Sequence, residues 1–127
     1  MKKIMVIALL SMVCSLAKAQ FTNTKWNGAL AVPDTTGVIL DFKKDLVTVI
    51  VDQSGEVLET MSYTVHADTL IFKKVSGQSP CSETLLSKLR FSIADNQLTI
   101  IPVSDDCQVR ADAWTKKPFV KVAEKAD

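Results

Sequence analysis

The sequence has little of several things that particular protein classes require. It holds a single histidine, four glycines and four prolines among 127 residues, and aromatic residues make up 6%. One histidine excludes sites built from several histidines, and so few glycines and prolines exclude collagen-like and low-complexity chains. The formal net charge is only +1, so the charge balance does not favour nucleic acid or an anionic membrane as a partner. The length of 127 residues predicts one small globular domain. Because 47% of the residues are hydrophobic, this domain is expected to have a buried core.

Motifs for catalysis and cofactor binding are missing as well. The sequence contains no Gly-rich phosphate loop, no CxxC and no HExxH. A hydrolytic triad needs a histidine beside its nucleophile. His66 lies on the outward face of a predicted strand, so we do not expect it to be catalytic. Asp105 and Asp106 are adjacent, so in an extended chain they point in opposite directions; we expect them to cap a loop, with a Ca²⁺ site as the alternative. We therefore predict that the protein is not an enzyme and needs no cofactor or metal.

The first 19 residues are predicted to be a secretory signal peptide, and residues 20–127 the mature domain. Two lysines near the start precede an apolar run over residues 4–16, and an Ala-x-Ala pattern ending at Ala19 fits signal-peptide cleavage. The run is shorter than the roughly 20 residues of a membrane-spanning helix, so no membrane span is expected. A buried helix of the mature protein is the alternative. The prediction places the protein in the periplasm or outside the cell.

Cysteine use agrees with export. Cys14 lies inside the predicted signal peptide. The alternative is a lipoprotein, in which Cys14 would carry the lipid. Cys81 and Cys107 remain, and an even number of cysteines in an exported protein predicts a disulfide. It would close a loop of about 25 residues, worth roughly 3 kcal/mol in the chain-entropy treatment. Two free buried thiols are the alternative, and a metal site lacks a second pair of soft ligands.

Alternation of apolar and polar residues with a period of two dominates after residue 20, and helical stripes are absent. Short turn signals, such as Asp-Gln-Ser-Gly and Asp-Asn, separate the alternating segments. Short connections favour an antiparallel up-and-down order, and about eight strands with one apolar face suit a closed barrel; a β-sandwich is the alternative. We predict an all-β fold with strands over residues 25–32, 38–43, 46–51, 57–66, 69–73, 88–94, 98–102 and 113–122, and a polar loop over 104–110.

Four segments together resemble the small secreted lipocalin-like (calycin) proteins of bacteria. They are Thr-Lys-Trp-Asn-Gly at 24–28, the predicted hairpin at 63–70, the strand pair at 89–100, and Asp-Asp-Cys-x-x-Arg ending at Arg110 with Pro-Cys upstream. The resemblance covers nearly all of the mature chain and rests on order and spacing.

The resemblance implies a barrel closed at one end by a tryptophan and a late basic residue. In this chain the pair would be Trp26 and Arg110, with the guanidinium stacked over the indole ring for roughly 0.5–2 kcal/mol. The alternative is that Trp26 is an ordinary core aromatic. The sequence departs from the lipocalin pattern, which has glycine two positions before the tryptophan: here Thr24 stands there, and Gly28 follows.

The predicted inward faces supply the candidate ligand-binding residues. Phe42, Tyr63, Phe72 and Phe91 each lie on the more apolar face of a strand, so we predict that they point into the barrel. Glu59 interrupts another apolar face. Pointing inward, it would orient the polar group of a ligand or pair with an arginine (Arg90 or Arg110), whereas a bulge would turn it to solvent.

Three functions follow from this sequence. The first is non-catalytic binding of a small apolar molecule at the barrel end opposite Trp26 and Arg110. The second is interaction with an exported protein, such as inhibition of a protease through residues 20–23 as an N-terminal arm. The third is a barrel enzyme, for which only Glu59, Tyr63 and Arg90 could supply polar chemistry. We predict the first, in a monomer without a nucleic-acid partner.

Overall fold

The computed structural model describes residues 18–32 and 34–123, in which the chain forms an all-β barrel with a short helix. The predicted signal peptide, apart from its last two residues, and Cys14 lie outside the described residues. The elements are β1 (Thr24–Ala31), β2 (Thr35–Phe42), β3 (Leu46–Val51), β4 (Val57–His66), β5 (Thr69–Gly77), β6 (Leu86–Ala94), β7 (Gln97–Asp105), helix α1 (Gln108–Ala113) and β8 (Phe119–Lys121).

Each strand pairs antiparallel with the next, and β8 pairs back onto β1. The predicted eight-stranded antiparallel up-and-down barrel is therefore confirmed, and the sandwich alternative is wrong. Closure gives every strand two neighbours, although β8 is short and pairs with only two residues of β1 and two of β7.

The alternation of side chains places the core inside the barrel. Along β2, Val38, Leu40 and Phe42 are fully buried, and the residues between them are not. Leu70 and Phe72 on β5 follow the same pattern. Because successive side chains of a strand point to opposite faces, one apolar face per strand is enough to fill the interior.

The two ends of the barrel differ. The tight hairpins β2–β3, β4–β5 and β6–β7 lie at one end, which we call the hairpin end. The longer connections, including the one that carries α1, lie at the other end, which we call the helix end. Trp26 lies toward the hairpin end, where it is paired in register with Leu40 of β2 and Lys121 of β8.

The segment before β1 closes the hairpin end. Phe21 is fully buried, and its ring centroid lies 4.9 Å from the centroids of both Phe42 and Phe91. The Thr24 hydroxyl donates a hydrogen bond to the Phe21 carbonyl, which holds the start of β1 against the segment that precedes it. Residues 20–23 are therefore not a free arm, and that part of the protease-inhibitor hypothesis is wrong.

The last part of the chain also differs from prediction. Residues 113–122 were predicted to be one strand, but α1 extends to Ala113 and β8 spans only Phe119–Lys121. Lys116 has φ 65°, which interrupts an extended chain, and Pro118 has no N–H to donate to a ladder. The predicted polar loop over 104–110 is divided between the end of β7 and the start of α1.

Candidate functional site

A cavity of about 370 Å³ opens at the helix end of the barrel. Strands β1, β3 and β4 form one wall, with Leu30, Val49 and Met61. Residues 78–80, which follow β5, form the second wall. Helix α1 and Trp114, the residue directly after it, form the third wall. The lining is mainly apolar, with Glu59, Ser79 and Arg110 among its polar residues. A concave apolar site with a few polar groups is the usual form of a small-molecule site.

Four of the five predicted ligand-binding residues do not line this cavity. Phe42, Tyr63 and Phe72 are buried in the packed interior, and Phe91 is half-buried against Phe21. The ring centroids of Phe42 and Tyr63 are 5.1 Å apart. These four residues point inward and belong to the packed core rather than to the cavity lining, because large side chains fill the interior of a small barrel.

Trp114 belongs to the third wall of the cavity, and its place there was not predicted. Its ring centroid lies 6.0 Å from that of Phe72 and 6.2 Å from that of Phe119, so it seals the aromatic core from the cavity. A single bridge pairs its backbone with Leu30 of β1. The sequence around Trp114 carries no periodic pattern that would have marked this role.

Glu59 is the predicted ligand-binding residue that does line the cavity. It points inward, is 8% exposed and is paired in register with Val49 and Gly77. A Cβ on Gly77 would lie 2.6 Å from the Glu59 Cα, and Gly77 has φ 142°, so glycine is required for this close approach. The register of β3–β4 and of β4–β5 shifts on either side of Glu59, and the side chain stays inside.

The carboxylate of Glu59 has one hydrogen-bond donor among the described residues. The Ser79 hydroxyl donates to Oε1 at 2.5 Å. Lys74 donates to the backbone carbonyls of Ser79 and Cys81, at 2.6 and 3.2 Å, and so holds the loop that carries Ser79. Of the two alternatives for an inward Glu59, a pair with an arginine is not found among the described residues: Arg90 lies by Asp68 on the surface, and Arg110 binds Asp105.

Arg110 lies on α1 and forms a buried ion pair with Asp105. Its Nε donates to Oδ2 at 2.9 Å and its Nη2 to Oδ1 at 2.8 Å, while Nη2 also reaches the Leu85 carbonyl at 3.2 Å. Burial alone would raise the pKa of Asp105, but the hydrogen bonds from Arg110 and the Cys107 amide outweigh it and hold that pKa below 3.8.

The predicted stacking of Arg110 on Trp26 is wrong. Arg110 is at the helix end, whereas Trp26 lies toward the hairpin end and donates its Nε1–H to the Thr24 hydroxyl at 2.8 Å. A buried guanidinium is stabilised more by a carboxylate in bidentate geometry than by an indole face. Trp26 is therefore a fully buried core aromatic, the alternative interpretation.

The disulfide prediction is confirmed. The sulfur atoms of Cys81 and Cys107 are 2.09 Å apart, and their Cα atoms are 5.7 Å apart. Cys81 directly follows the loop wall of the cavity, and Cys107 directly precedes α1. The bond therefore joins the two cavity walls that are not made by strands.

Comparisons with known proteins add no relatives: no protein-family model, no curated protein and no solved structure matches this chain. Within residues 18–32 and 34–123, no group of three or more His, Cys, Asp and Glu side chains is placed to hold a metal ion. In the same residues, no helix has both the length and the apolar character to cross a membrane.

Proposed function

We propose that the protein is an exported, lipocalin-like binding protein that holds a small, mostly apolar molecule in the cavity at the helix end and does not catalyse a reaction. The observation that carries the proposal is the cavity itself, which lies at the end opposite Trp26 and is walled mainly by apolar side chains. The Ala-x-Ala signal sequence and the Cys81–Cys107 bond support export.

The size of the cavity limits the ligand. At roughly 30 Å³ per non-hydrogen atom, the share of one water molecule in the liquid, 370 Å³ holds about a dozen such atoms. Retinoids and haem exceed that size. The proposal is therefore for a short-chain or single-ring molecule.

The polar groups at the cavity support binding rather than catalysis. Arg110 is occupied by Asp105, and the Ser79 hydroxyl donates to Glu59 without a histidine beside it. The one histidine, His66, is exposed at the hairpin end. A serine next to a carboxylate alone lacks the base that activates a nucleophile in hydrolytic triads.

A titration followed by amide NMR tests the proposal directly. Adding 1-octanol to the mature chain should shift the amide signals of Gln78, Ser79, α1 and Trp114, and leave those of the hairpin end unchanged. Ala113 lines the cavity and Ala111 does not. Ala113→Leu should therefore weaken octanol binding, while Ala111→Leu, the same change on the same helix, should not. If octanol produces no saturable shifts in the wild type, the proposal is wrong.

The alternative function is interaction with an exported protein. It is favoured by exposed apolar side chains on the outer face of β7, where Ile101 and Val103 are 44% and 57% exposed. Exposed apolar groups on a small surface suit a protein contact better than solvent. Native mass spectrometry of the protein from its own periplasm separates the two functions: a bound small molecule supports the cavity, and a protein of defined stoichiometry supports the alternative.

A further inference from the structure

Glu59 is a buried acid in the cavity wall that forms no ion pair among the described residues. We propose that the ligand carries a protonated amine that binds the Glu59 carboxylate, with its apolar part in the space above Trp114. This inference rests on the proposed binding function and specifies the class of ligand: a small amphipathic amine.

The hydrogen bonds of Glu59 are incomplete. A carboxylate has about four lone-pair positions, and the Ser79 hydroxyl occupies one of them, on Oε1. No other side-chain hydrogen bond and no ion pair reaches Glu59 among the described residues. A buried carboxylate is costly unless it is paired and hydrogen-bonded, so this position favours a cationic donor.

Neither of the two nearby cations forms an ion pair with Glu59. Arg110 directs Nε and Nη2 to Asp105, which balances its charge. Lys74 donates to the carbonyls of Ser79 and Cys81, and its ammonium forms no ion pair with Glu59. Neither cation is therefore in an ion pair with Glu59 among the described residues, and the open positions of its carboxylate are left for a donor on the ligand.

A carboxylate ligand is the competing class, since two donors of the wall lack acceptors. Neither Arg110 Nη1 nor Trp114 Nε1 has a hydrogen-bond partner within the described residues. Both nitrogen atoms are buried, however, and Asp105 balances the charge of Arg110. A second carboxylate in the same cavity would also be repelled by Glu59, and like charges at short range in a buried site are unfavourable. The open positions on the Glu59 carboxylate therefore favour the amine.

The alkyl series octylamine, 1-octanol and octanoate tests the inference, because the chain is constant and only the polar group changes. Near pH 7 the amine is cationic, the alcohol neutral and octanoate anionic. We expect octylamine to bind at least about tenfold more tightly than octanol, as for a charge-assisted hydrogen bond, and octanoate to bind most weakly. Dissociation constants come from the same amide NMR titration.

Two variants identify the group responsible. Glu59→Gln keeps an oxygen for the Ser79 hydroxyl and removes the charge, so it should abolish the preference for octylamine over octanol with little loss of octanol binding. Glu83→Gln is the matched control, since Glu83 is exposed on the loop after the disulfide and does not line the cavity. The thermal midpoint of each variant checks that it is folded.

The outcomes separate the inference from the function on which it rests. Equal binding of the three compounds, unchanged in Glu59→Gln, would retain the binding function and refute the amine. Tighter binding of octanoate, lost in Arg110→Met, would assign the cavity to carboxylates and also refute it. If none of the three compounds binds, the binding function and the amine inference both fail.

Discussion

Arg110 and Asp105 form two parallel hydrogen bonds, of 2.9 and 2.8 Å, between a helix and the end of the strand that precedes it. Both side chains are buried, with 4% and 0% exposed. The pair fixes α1 against β7 and so positions one wall of the cavity. A bidentate pair of this kind gives directional as well as electrostatic stabilisation.

Asp105→Asn should destabilise the fold by about 3–5 kcal/mol at neutral pH, because it leaves the buried Arg110 without its counterion. Urea unfolding at pH 7 measures the loss. The matched control is Asp106→Asn, which makes the same change at an adjacent exposed position and should cost less than about 0.5 kcal/mol. Equal costs in the two variants would show that the ion pair does not hold α1.

The same pair predicts a pH dependence. The pKa of Asp105 is lowered in the folded state, so near and below pH 3.8 the unfolded chain binds more protons at this site. The stability from Asp105 is therefore complete above its ordinary value of 3.8 and is lost as the pH falls through its lower folded value. The difference in unfolding free energy between wild type and Asp105→Asn should shrink on acidification from pH 5 to pH 2. A constant difference would contradict the lowered pKa.

Substitution of Gly28 is predicted to be destabilising because the ring of Phe119 lies against it. A Cβ at position 28 would stand 2.2 Å from Phe119 Cδ1, whereas one at Gly37, on the neighbouring strand, would have 3.9 Å to Asp52. Gly28→Ala should cost about 1–3 kcal/mol by forcing Phe119 and β8 outward, and Gly37→Ala about 0.5 kcal/mol or less. Thermal unfolding compares the two, and similar midpoints would contradict the close contact.

Phe21 is predicted to contribute to stability as a core residue. Phe21→Ala should lower the free energy of unfolding by about 3–5 kcal/mol, since the ring is fully buried. Gln20→Ala, at the exposed position before it, should have little effect. Phe91→Ala should cost less than Phe21→Ala, because Phe91 is half-buried. A loss below about 1 kcal/mol for Phe21→Ala, measured by urea unfolding, would mean that the N-terminal segment does not close the barrel.

The barrel and its inward faces were predictable because a period of two is a local signal. Val38, Leu40 and Phe42 could be assigned to the interior from alternation alone, and they are fully buried. Phe21 was not assigned, since one apolar residue outside any strand has no period. Its position depends on the space that Phe42 and Phe91 leave at the hairpin end, which is a property of the closed barrel.

The candidate site was only partly predictable for a related reason. Glu59 stands out in sequence as an acid on an apolar face, and it does line the cavity. Helix α1 has six residues, too few to form without tertiary contacts, so no pattern marked it. Without the helix, Arg110 could not be matched with Asp105, and the family resemblance directed it to Trp26 instead.

The disulfide provides the last prediction, because it links stability to the cavity. In the mature chain, unfolded but unreduced, thiol labelling should find no free cysteine, since Cys81 and Cys107 are bonded to each other; two reactive thiols would refute the bond. Cys81→Ser with Cys107→Ser should lower the unfolding free energy by about 3 kcal/mol, as expected when a loop of this length is no longer closed in the unfolded state.

The double variant should also bind octanol more weakly, even at temperatures where it remains folded. The bond joins the loop that carries Ser79 and Pro80 to the start of α1, which carries Arg110, and all three residues line the cavity. Without the bond, the two walls lose their covalent link, so ordering them relative to each other on binding should cost more entropy. The NMR titration used for the wild type measures this loss. Unchanged affinity with the expected drop in stability would show that Lys74 and the Arg110–Asp105 pair hold the walls without the disulfide.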